Sequence, residues 1–208
     1  MYPQIADYRR TTPLDSTWHR LQSSVRETDE KFELPASLPG NGALIYFSLG
    51  SLGSADVSLM RRVIAALAGT PHRYIVSKGP LHEEVELAPN MYGAEFLPQT
   101  SIIGQADLVI THGGNNTITE ALHFGKPMIC LPLFWDQYDN AQRVDELGLG
   151  VRLAPYACSP ASLREAIDRL LADTALRGRL AAEGERIRAS DGLRRAADLI
   201  EQTARAAQ

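Results

Sequence analysis

The chain has 208 residues, of which 44% are hydrophobic and 22% are charged, and its formal net charge is −4. This composition is typical of a globular protein with one large domain, and the acidic balance argues against nucleic acid as a partner. Every apolar run falls short of the roughly 20 residues that a membrane-spanning helix needs, so no membrane span is expected. The first residues also lack the apolar core of a signal peptide.

The two cysteines, Cys130 and Cys158, do not have the spacing of metal ligands. Cys130 lies within an apolar run, which favours a buried free thiol over a disulfide. A reducing environment and a cytoplasmic location are therefore expected.

Residues 1–42 form a region without a regular hydrophobic pattern. Prolines and glycines recur along it, and charged residues are scattered throughout, as is typical of loops and linkers. We interpret residues 1–42 as an interdomain linker, or the tail of a further N-terminal domain, and residues 43–208 as a folded domain.

Apolar runs and helical periodicities alternate from residue 43 onward. The predicted strands cover 43–49, 73–77, 92–97, 106–111, 127–132 and 150–154. The predicted helices cover a segment around 60–67, then 116–124, 137–147, a segment that begins at Ser159 and Pro160, 175–189 and 192–206. Strand–helix alternation with continuously apolar strands predicts an α/β fold with a doubly wound, Rossmann-like parallel sheet. Such folds bind ligands at the carboxyl ends of their strands.

The first and third predicted strands end in segments that can contact a nucleotide. Gly50 and Ser51 offer amides and a hydroxyl that suit a phosphate, although on its own this segment is better explained as an ordinary turn between strand and helix. Neither the Gly-x-Gly-x-x-Gly fingerprint nor a Walker phosphate loop is present. Phe96 could stack on a base or belong to the core, and Gln99 could bind a base or ribose or face water.

The fourth strand ends in the sequence THGGNN, which precedes a predicted helix. Its glycines allow a ligand to approach the backbone, and His112 can donate a hydrogen bond to a phosphate oxygen. Asn115, Asn116 and Thr117 could instead cap the helix, and Thr117 with Glu120 matches a capping box. Glu120 could also reach ribose hydroxyls from the first turn of the helix.

The fifth strand is followed by Trp135, Asp136 and Gln137. Asp136 is placed to cap the next helix, but an aromatic edge, a carboxylate and an amide are also the groups that bind sugar hydroxyls.

Taken together, these segments resemble the C-terminal donor-binding half of the UDP-glycosyltransferase superfamily, which has the GT-B fold. That superfamily includes macrolide, plant secondary-metabolite and glucuronosyl transferases. The resemblance lies in FLPQTSIIGQADLVITHGGNNTITEALHFGKPMICLPLFWDQYDNAQ (96–142), with FSLGS (47–51) as upstream support.

The resemblance implies a role for each matching residue. Phe96 stands where an aromatic, usually Trp, stacks on the base, so that both UDP-sugars and dTDP-sugars are possible donors. The other implied donor contacts are Gln99 for the nucleoside, Glu120 for the ribose, Ser51 and His112 for the diphosphate, Gly114, Asn115, Asn116 and Thr117 at the phosphate-binding helix start, and Asp136 and Gln137 for the sugar hydroxyls.

The resemblance also implies an inverting transfer of a hexose to a small-molecule acceptor, with no metal and no cofactor beyond the nucleotide-sugar substrate. The acceptor site and the catalytic base belong to the superfamily's N-terminal domain, so no catalytic residue is assigned here, and His19 is not interpreted as the base. Three alternatives remain: a stand-alone donor subunit of a split transferase, a nucleotide-binding regulatory module, and a nucleotide-sugar epimerase.

Overall fold

The structure is a computed structural model that describes residues 3–8, 10–25 and 30–206. Across these residues one parallel sheet runs in the order β3-β2-β1-β4-β5-β6. Its strands are β1 (Leu44–Ser48), β2 (Arg73–Ser77), β3 (Met91–Ala94), β4 (Leu108–Thr111), β5 (Met128–Cys130) and β6 (Gly150–Arg152). The order reverses between β1 and β4, so the fold is doubly wound and Rossmann-like, as predicted.

The central strands β1 and β4 are buried along their whole length, which explains their apolar sequences. They pair in parallel from Ile45 opposite Leu108 to Ser48 opposite Thr111. Because helices cover both faces of such a sheet, its strands need apolar side chains on both sides. This pairing also places the residues that follow Ser48 beside those that follow Thr111.

The helices are α1 (Gly50–Gly53), α2 (Val57–Leu67), α3 (Gln99–Gln105), α4 (Asn115–His123), α5 (Gln137–Glu146), α6 (Pro160–Ala172), α7 (Thr174–Arg188) and α8 (Gly192–Ala206), and Gln4–Ala6 and His82–Glu84 form 3-10 turns. The predicted start of α6 is confirmed, and α4 ends one residue before the predicted end at 124. The Ser159 hydroxyl caps α6 with Pro160 in its first turn, and Gly125, at φ +66°, follows α4. Helices α1 and α3 were not predicted, because four and seven residues are too short to show a clear apolar period.

The described part of the N-terminal region is irregular, as predicted, but it packs along the domain. The Arg143 Nε donates to the Asp7 carbonyl at 3.1 Å, and the Phe32 amide donates to the Ser101 hydroxyl at 2.9 Å. The division into 1–42 and 43–208 stays a prediction, and residues 1, 2, 9, 26–29, 207 and 208 lie outside the described residues.

Two further predictions can be set beside the structure. Cys130 is a buried free thiol, as predicted, and burial raises its pKa to about 12. Among residues 3–8, 10–25 and 30–206, no helix is long and apolar enough to cross a membrane.

Candidate functional site

The ends of β1 and β4 hold the His112 imidazole between two glycines. A Cβ added to Gly50 would lie 2.8 Å from His112 Nε2, and one added to Gly114 would lie 2.5 Å from the same atom. Any side chain at either glycine would therefore displace the ring. Gly50 and Gly113 also have φ values of +70° and +85°, a region that favours glycine.

The Thr111 hydroxyl lies beside one ring nitrogen of His112 at the end of β4. The Thr111 hydroxyl accepts from the Gly113 amide at 3.2 Å and lies 3.3 Å from His112 Nδ1. Because a hydroxyl has one proton and two lone pairs, it can either donate to Nδ1 or accept from it. In the tautomer in which it donates, the neutral ring carries its proton on Nε2. Burial lowers the pKa of His112, and the Asp136 carboxylate opposes that shift, so the neutral form is favoured in the free chain.

Helix α4 begins earlier than predicted, and this overturns the capping predictions. Its N-cap residue is Gly114, and among the described residues no side chain caps this end. Asn115, Asn116 and Thr117 therefore lie in the first turn, where their amides have no acceptor within the helix. The capping box was wrong because Thr117 is already helical and its hydroxyl faces a different partner. The Asn115 Oδ1 is buried without a hydrogen-bond partner in the described structure.

Gln99 links α3 to α4 through a partly buried chain of hydrogen bonds. Its Oε1 accepts from the Tyr46 hydroxyl at 2.9 Å, and its Nε2 donates to the Thr117 hydroxyl at 3.3 Å and to Glu120 Oε2. Burial raises the pKa of Glu120, while the hydrogen bond from Gln99 opposes the shift. The structure thus brings together three predicted site residues, Gln99, Thr117 and Glu120. The Gln99 amide, which was predicted to bind the nucleoside, is hydrogen-bonded to Glu120.

The loop after β5 places Asp136 and Gln137 at the start of α5. Gln137 is buried, and its Oε1 accepts from the amides of Leu133 and Phe134 at 2.9 and 3.1 Å. This bonding closes the loop, and it leaves Nε2 as the group of Gln137 suited to a ligand. The neighbouring Trp135 is 74% exposed and has a φ of +54°, a strained conformation of the kind found at functional sites.

Asp136 is the N-cap residue of α5, but the prediction that its side chain caps the helix was wrong. Its Oδ2 accepts instead from Asn140 Nδ2 at 3.0 Å, one turn into the helix. The same Nδ2 donates to the Gly113 carbonyl at 3.0 Å, so Asn140 joins the two loops of the site. Sequence reasoning missed Asn140, although a polar residue on the inward face of α5 was the available signal.

The remaining predicted residues lie at the same edge of the sheet. Phe96 is 66% exposed after β3, which excludes the core position considered for it, and Ser51 is exposed in α1. The edge therefore presents, across β3, β1, β4 and β5, an aromatic ring, a serine, an imidazole with a free helix start, and a carboxylate. Within the described residues, no group of three or more histidine, cysteine or acidic side chains could hold a metal ion.

Comparison with known proteins relates this chain to a family of transferases. A family model described as "UDP-glucoronosyl and UDP-glucosyl transferase" matches residues 25–180. NDP-glycosyltransferase YjiC of Bacillus subtilis (strain 168) is 34% identical over 161 residues, which are 76% of this chain and 41% of that protein. UDP-glucuronosyltransferase 3A1 of Bos taurus is 32% identical over 139 residues, which are 64% of this chain and 27% of that protein.

Solved glycosyltransferase structures share the fold. The structure of CalG4, the calicheamicin glycosyltransferase, has a TM-score of 0.79 at 30% identity and matches 94% of this chain and 50% of that one. The glycotransferase of kitacinnamycin has a TM-score of 0.74 at 32% identity, over 86% of this chain and 47% of that one. The chain thus spans about half or less of the length of these relatives.

Proposed function

The chain belongs to the UDP-glucuronosyl and UDP-glucosyl transferase family, and from that membership we propose that it binds a nucleotide sugar, a UDP-sugar or dTDP-sugar, at the carboxyl edge of its sheet. The observation that carries this proposal is the His112 imidazole, held between Gly50 and Gly114 at the uncapped start of α4. A ring donor beside unpaired helix amides is an arrangement that suits a diphosphate.

The diphosphate accepts from His112 Nε2 and from the first amides of α4, at Asn115, Asn116 and Thr117, and Ser51 adds a hydroxyl from α1. These donors are fixed by the fold before the ligand arrives. They therefore stabilise the negative charge that grows on the leaving diphosphate without reorganisation at that step.

The nucleoside and the sugar lie on either side of the diphosphate. Phe96 stacks on the base, and Glu120, held on one oxygen by Gln99, accepts from the ribose hydroxyls. On the other side, the Asp136 carboxylate and Gln137 Nε2 bind hydroxyls of the sugar. A carboxylate that accepts and an amide that donates distinguish sugars by the orientation of their hydroxyl groups.

The complete reaction is the inverting transfer of a hexose to a small-molecule acceptor. A base in an N-terminal domain removes the acceptor proton, the acceptor oxygen attacks the anomeric carbon, and the bond from that carbon to the diphosphate oxygen breaks as the nucleoside diphosphate leaves. The family relationship and the calicheamicin and kitacinnamycin transferases among the similar structures support this proposal. This chain contributes the donor site and no catalytic base.

Calorimetric titration of the 208-residue chain with UDP-glucose, dTDP-glucose, UDP and dTDP tests the donor site. We expect His112→Ala and Glu120→Ala each to weaken nucleotide-sugar binding by about 10-fold or more, since each removes a charged or charge-assisted hydrogen bond. The controls are His19→Ala and Glu165→Ala, at exposed positions. Wild-type affinity in both site variants would contradict the proposed site, and equal affinity for UDP and UDP-glucose would favour a regulatory nucleotide-binding module.

Metal-free donor binding is part of the proposal, because fixed N–H donors take the place of a cation at the diphosphate. The same titration with UDP-glucose in excess EDTA is expected to give an unchanged Kd. A large loss of affinity that Mg²⁺ or Mn²⁺ restores would show that the diphosphate is held through a metal.

A cytoplasmic location is also proposed. Its support is the pair of free cysteines, Cys130 and Cys158, because free thiols persist in reducing compartments. Fractionation of the source cells with an antibody against the chain tests the location.

A further inference from the structure

The Asn140 side chain is a buried amide, and three of its hydrogen-bond partners indicate its orientation. It is 2% exposed, and its nitrogen lies 3.0 Å from both the Gly113 carbonyl and Asp136 Oδ2. Both neighbours are acceptors only, so the amide nitrogen has to face them. The amide oxygen therefore faces the third neighbour, the Tyr8 hydroxyl at 2.9 Å, and that hydroxyl donates.

Tyr8 belongs to the N-terminal region and is held against α5 at a second point. The preceding carbonyl, of Asp7, accepts from Arg143 Nε at 3.1 Å and from Arg143 Nη2 at 2.5 Å. Arg143 and Asn140 are three residues apart, on one face of α5. The Asp7 carboxylate is in turn paired with Arg10 and Arg20 at 2.8 and 2.7 Å. These contacts hold the backbone beside Tyr8 against α5, and the bond to Asn140 places the Tyr8 hydroxyl.

We propose that Asn140 and Tyr8 are positioning residues for the sugar-binding carboxylate, with Tyr8 orienting the Asn140 amide and the amide orienting Asp136. This inference rests on the proposed function, in which Asp136 binds sugar hydroxyls. Asp136 is exposed at the N-cap of α5, where a free side chain samples several rotamers, and the bond to Asn140 selects one of them.

The proposal makes the N-terminal region part of the donor-sugar site, although Tyr8 and Asn140 are 132 residues apart in sequence. It also separates the two halves of donor recognition. A change at Tyr8 affects Asp136, and hence the sugar, through Asn140. The Gly113 carbonyl is bonded to the same Asn140 nitrogen, but the His112 ring is also held by the flanking glycines and lies beside the Thr111 hydroxyl. Loss of the Tyr8 hydroxyl is therefore expected to reduce the additional affinity that the sugar gives to UDP-glucose. The affinity for the nucleotide itself is expected to stay the same.

The test is calorimetric titration of the 208-residue chain with UDP and with UDP-glucose, and the readout is the ratio of the two affinities. Tyr8→Phe removes the hydroxyl that donates to the buried Asn140 oxygen and is expected to reduce the UDP-glucose preference by about 3-fold, with the Kd for UDP unchanged. Asn140→Asp places a carboxylate oxygen against Asp136 and the Gly113 carbonyl, and is expected to abolish the preference. A normal circular dichroism spectrum and cooperative melting show that each variant is folded.

Each variant has a matched control. Tyr156→Phe removes a tyrosine hydroxyl that bonds Asp56 at the start of α2, and Gln142→Glu makes the same amide-to-acid change at an exposed position of α5. Both are expected to keep the wild-type ratio.

The outcomes separate this inference from the proposed function. A wild-type chain that gains no affinity from the sugar rejects the sugar role of Asp136 and the positioning claim with it. If the wild-type chain binds UDP-glucose more tightly than UDP, and both Tyr8→Phe and Asn140→Asp keep that full preference, the positioning claim alone is rejected. An equal loss of UDP and UDP-glucose affinity in Tyr8→Phe also rejects it, because a general structural defect has that effect.

Discussion

His112 shows how single atoms determine the proposed donor site. The ring occupies space that exists only because Gly50 and Gly114 have no side chains. Its Nδ1 lies 3.3 Å from the hydroxyl of Thr111, a buried residue that also accepts from the Gly113 amide. The histidine and the glycines are recognisable in the sequence THGGNN. The space that Gly50 leaves for the His112 ring is not recognisable there, because Gly50 follows β1 and His112 follows β4.

Gly114→Ala tests this arrangement with one added carbon. Gly114 has a φ of −64°, which alanine adopts without strain, so the change acts through the 2.5 Å approach of the new Cβ to His112 Nε2. We expect the ring to move and the Kd for UDP to rise roughly 10-fold, the value of a charge-assisted hydrogen bond.

Gly178→Ala is the matched control for that substitution. Gly178 lies inside α7, and a Cβ there meets no atom within 4 Å. The control should bind UDP normally and stabilise the chain by roughly 0.5–1 kcal/mol, the helix-propensity difference between the residues. Normal UDP binding by Gly114→Ala would mean that the imidazole does not contact the diphosphate.

His112 also predicts how the binding of UDP-glucose depends on pH. Burial lowers the pKa of His112 in the free chain, whereas a bound diphosphate favours the imidazolium and raises the pKa in the complex. Between these two pKa values binding takes up a proton, so affinity for UDP-glucose increases as the pH falls. Calorimetry from pH 8 to pH 5.5 should show this slope in the wild type, and His112→Gln should flatten it. Identical slopes would assign the proton to another group.

At the scale of elements, the strands were predictable from the sequence and the polar links between helices were not. Buried parallel strands need apolar residues on both faces, and that requirement is visible as continuous runs. The short helices α1 and α3 have too few turns to show a period. The start of α4 was misjudged because Thr117 and Glu120 match a capping box, whereas both face Gln99 across the gap to α3. Such contacts depend on how helices pack, which local patterns do not encode.

The hydrogen bonds that Gln99 forms between α3 and α4 can be tested with Gln99→Met. This change keeps the size of the side chain and removes its amide. Glu120 then loses the hydrogen bond that opposes the effect of burial on its pKa. We expect the affinities for UDP and UDP-glucose to fall by the same factor, about 3- to 10-fold, because Glu120 faces the ribose that both ligands share. The control is Gln105→Met at the other end of α3. A selective loss of UDP-glucose affinity would place Gln99 at the sugar instead.

At the scale of the whole molecule, the N-terminal region packs against the domain that it precedes. The sequence predicted an irregular linker, and irregular it is, but it contacts α3 through Phe32 and α5 through Asp7 and Tyr8. It also passes the start of α8, where Gly192 lies against the backbone of Leu21 and Ser23. These contacts escape sequence analysis because their partners are distant in the chain and carry no periodic signal.

Gly192→Ala tests whether this docking stabilises the domain. A Cβ at Gly192 would overlap the Leu21 carbonyl oxygen and lie 2.6 Å from that of Ser23, so the two segments must separate. We expect a loss of about 1–3 kcal/mol in the free energy of unfolding, measured by urea titration, as for other overpacked positions. Trypsin should also cleave faster after Arg20, since proteolysis follows local detachment. If stability and cleavage both match those of Gly178→Ala, the region rests on the domain without supporting it, and truncation near residue 42 should then leave the donor site intact apart from the contact of Tyr8.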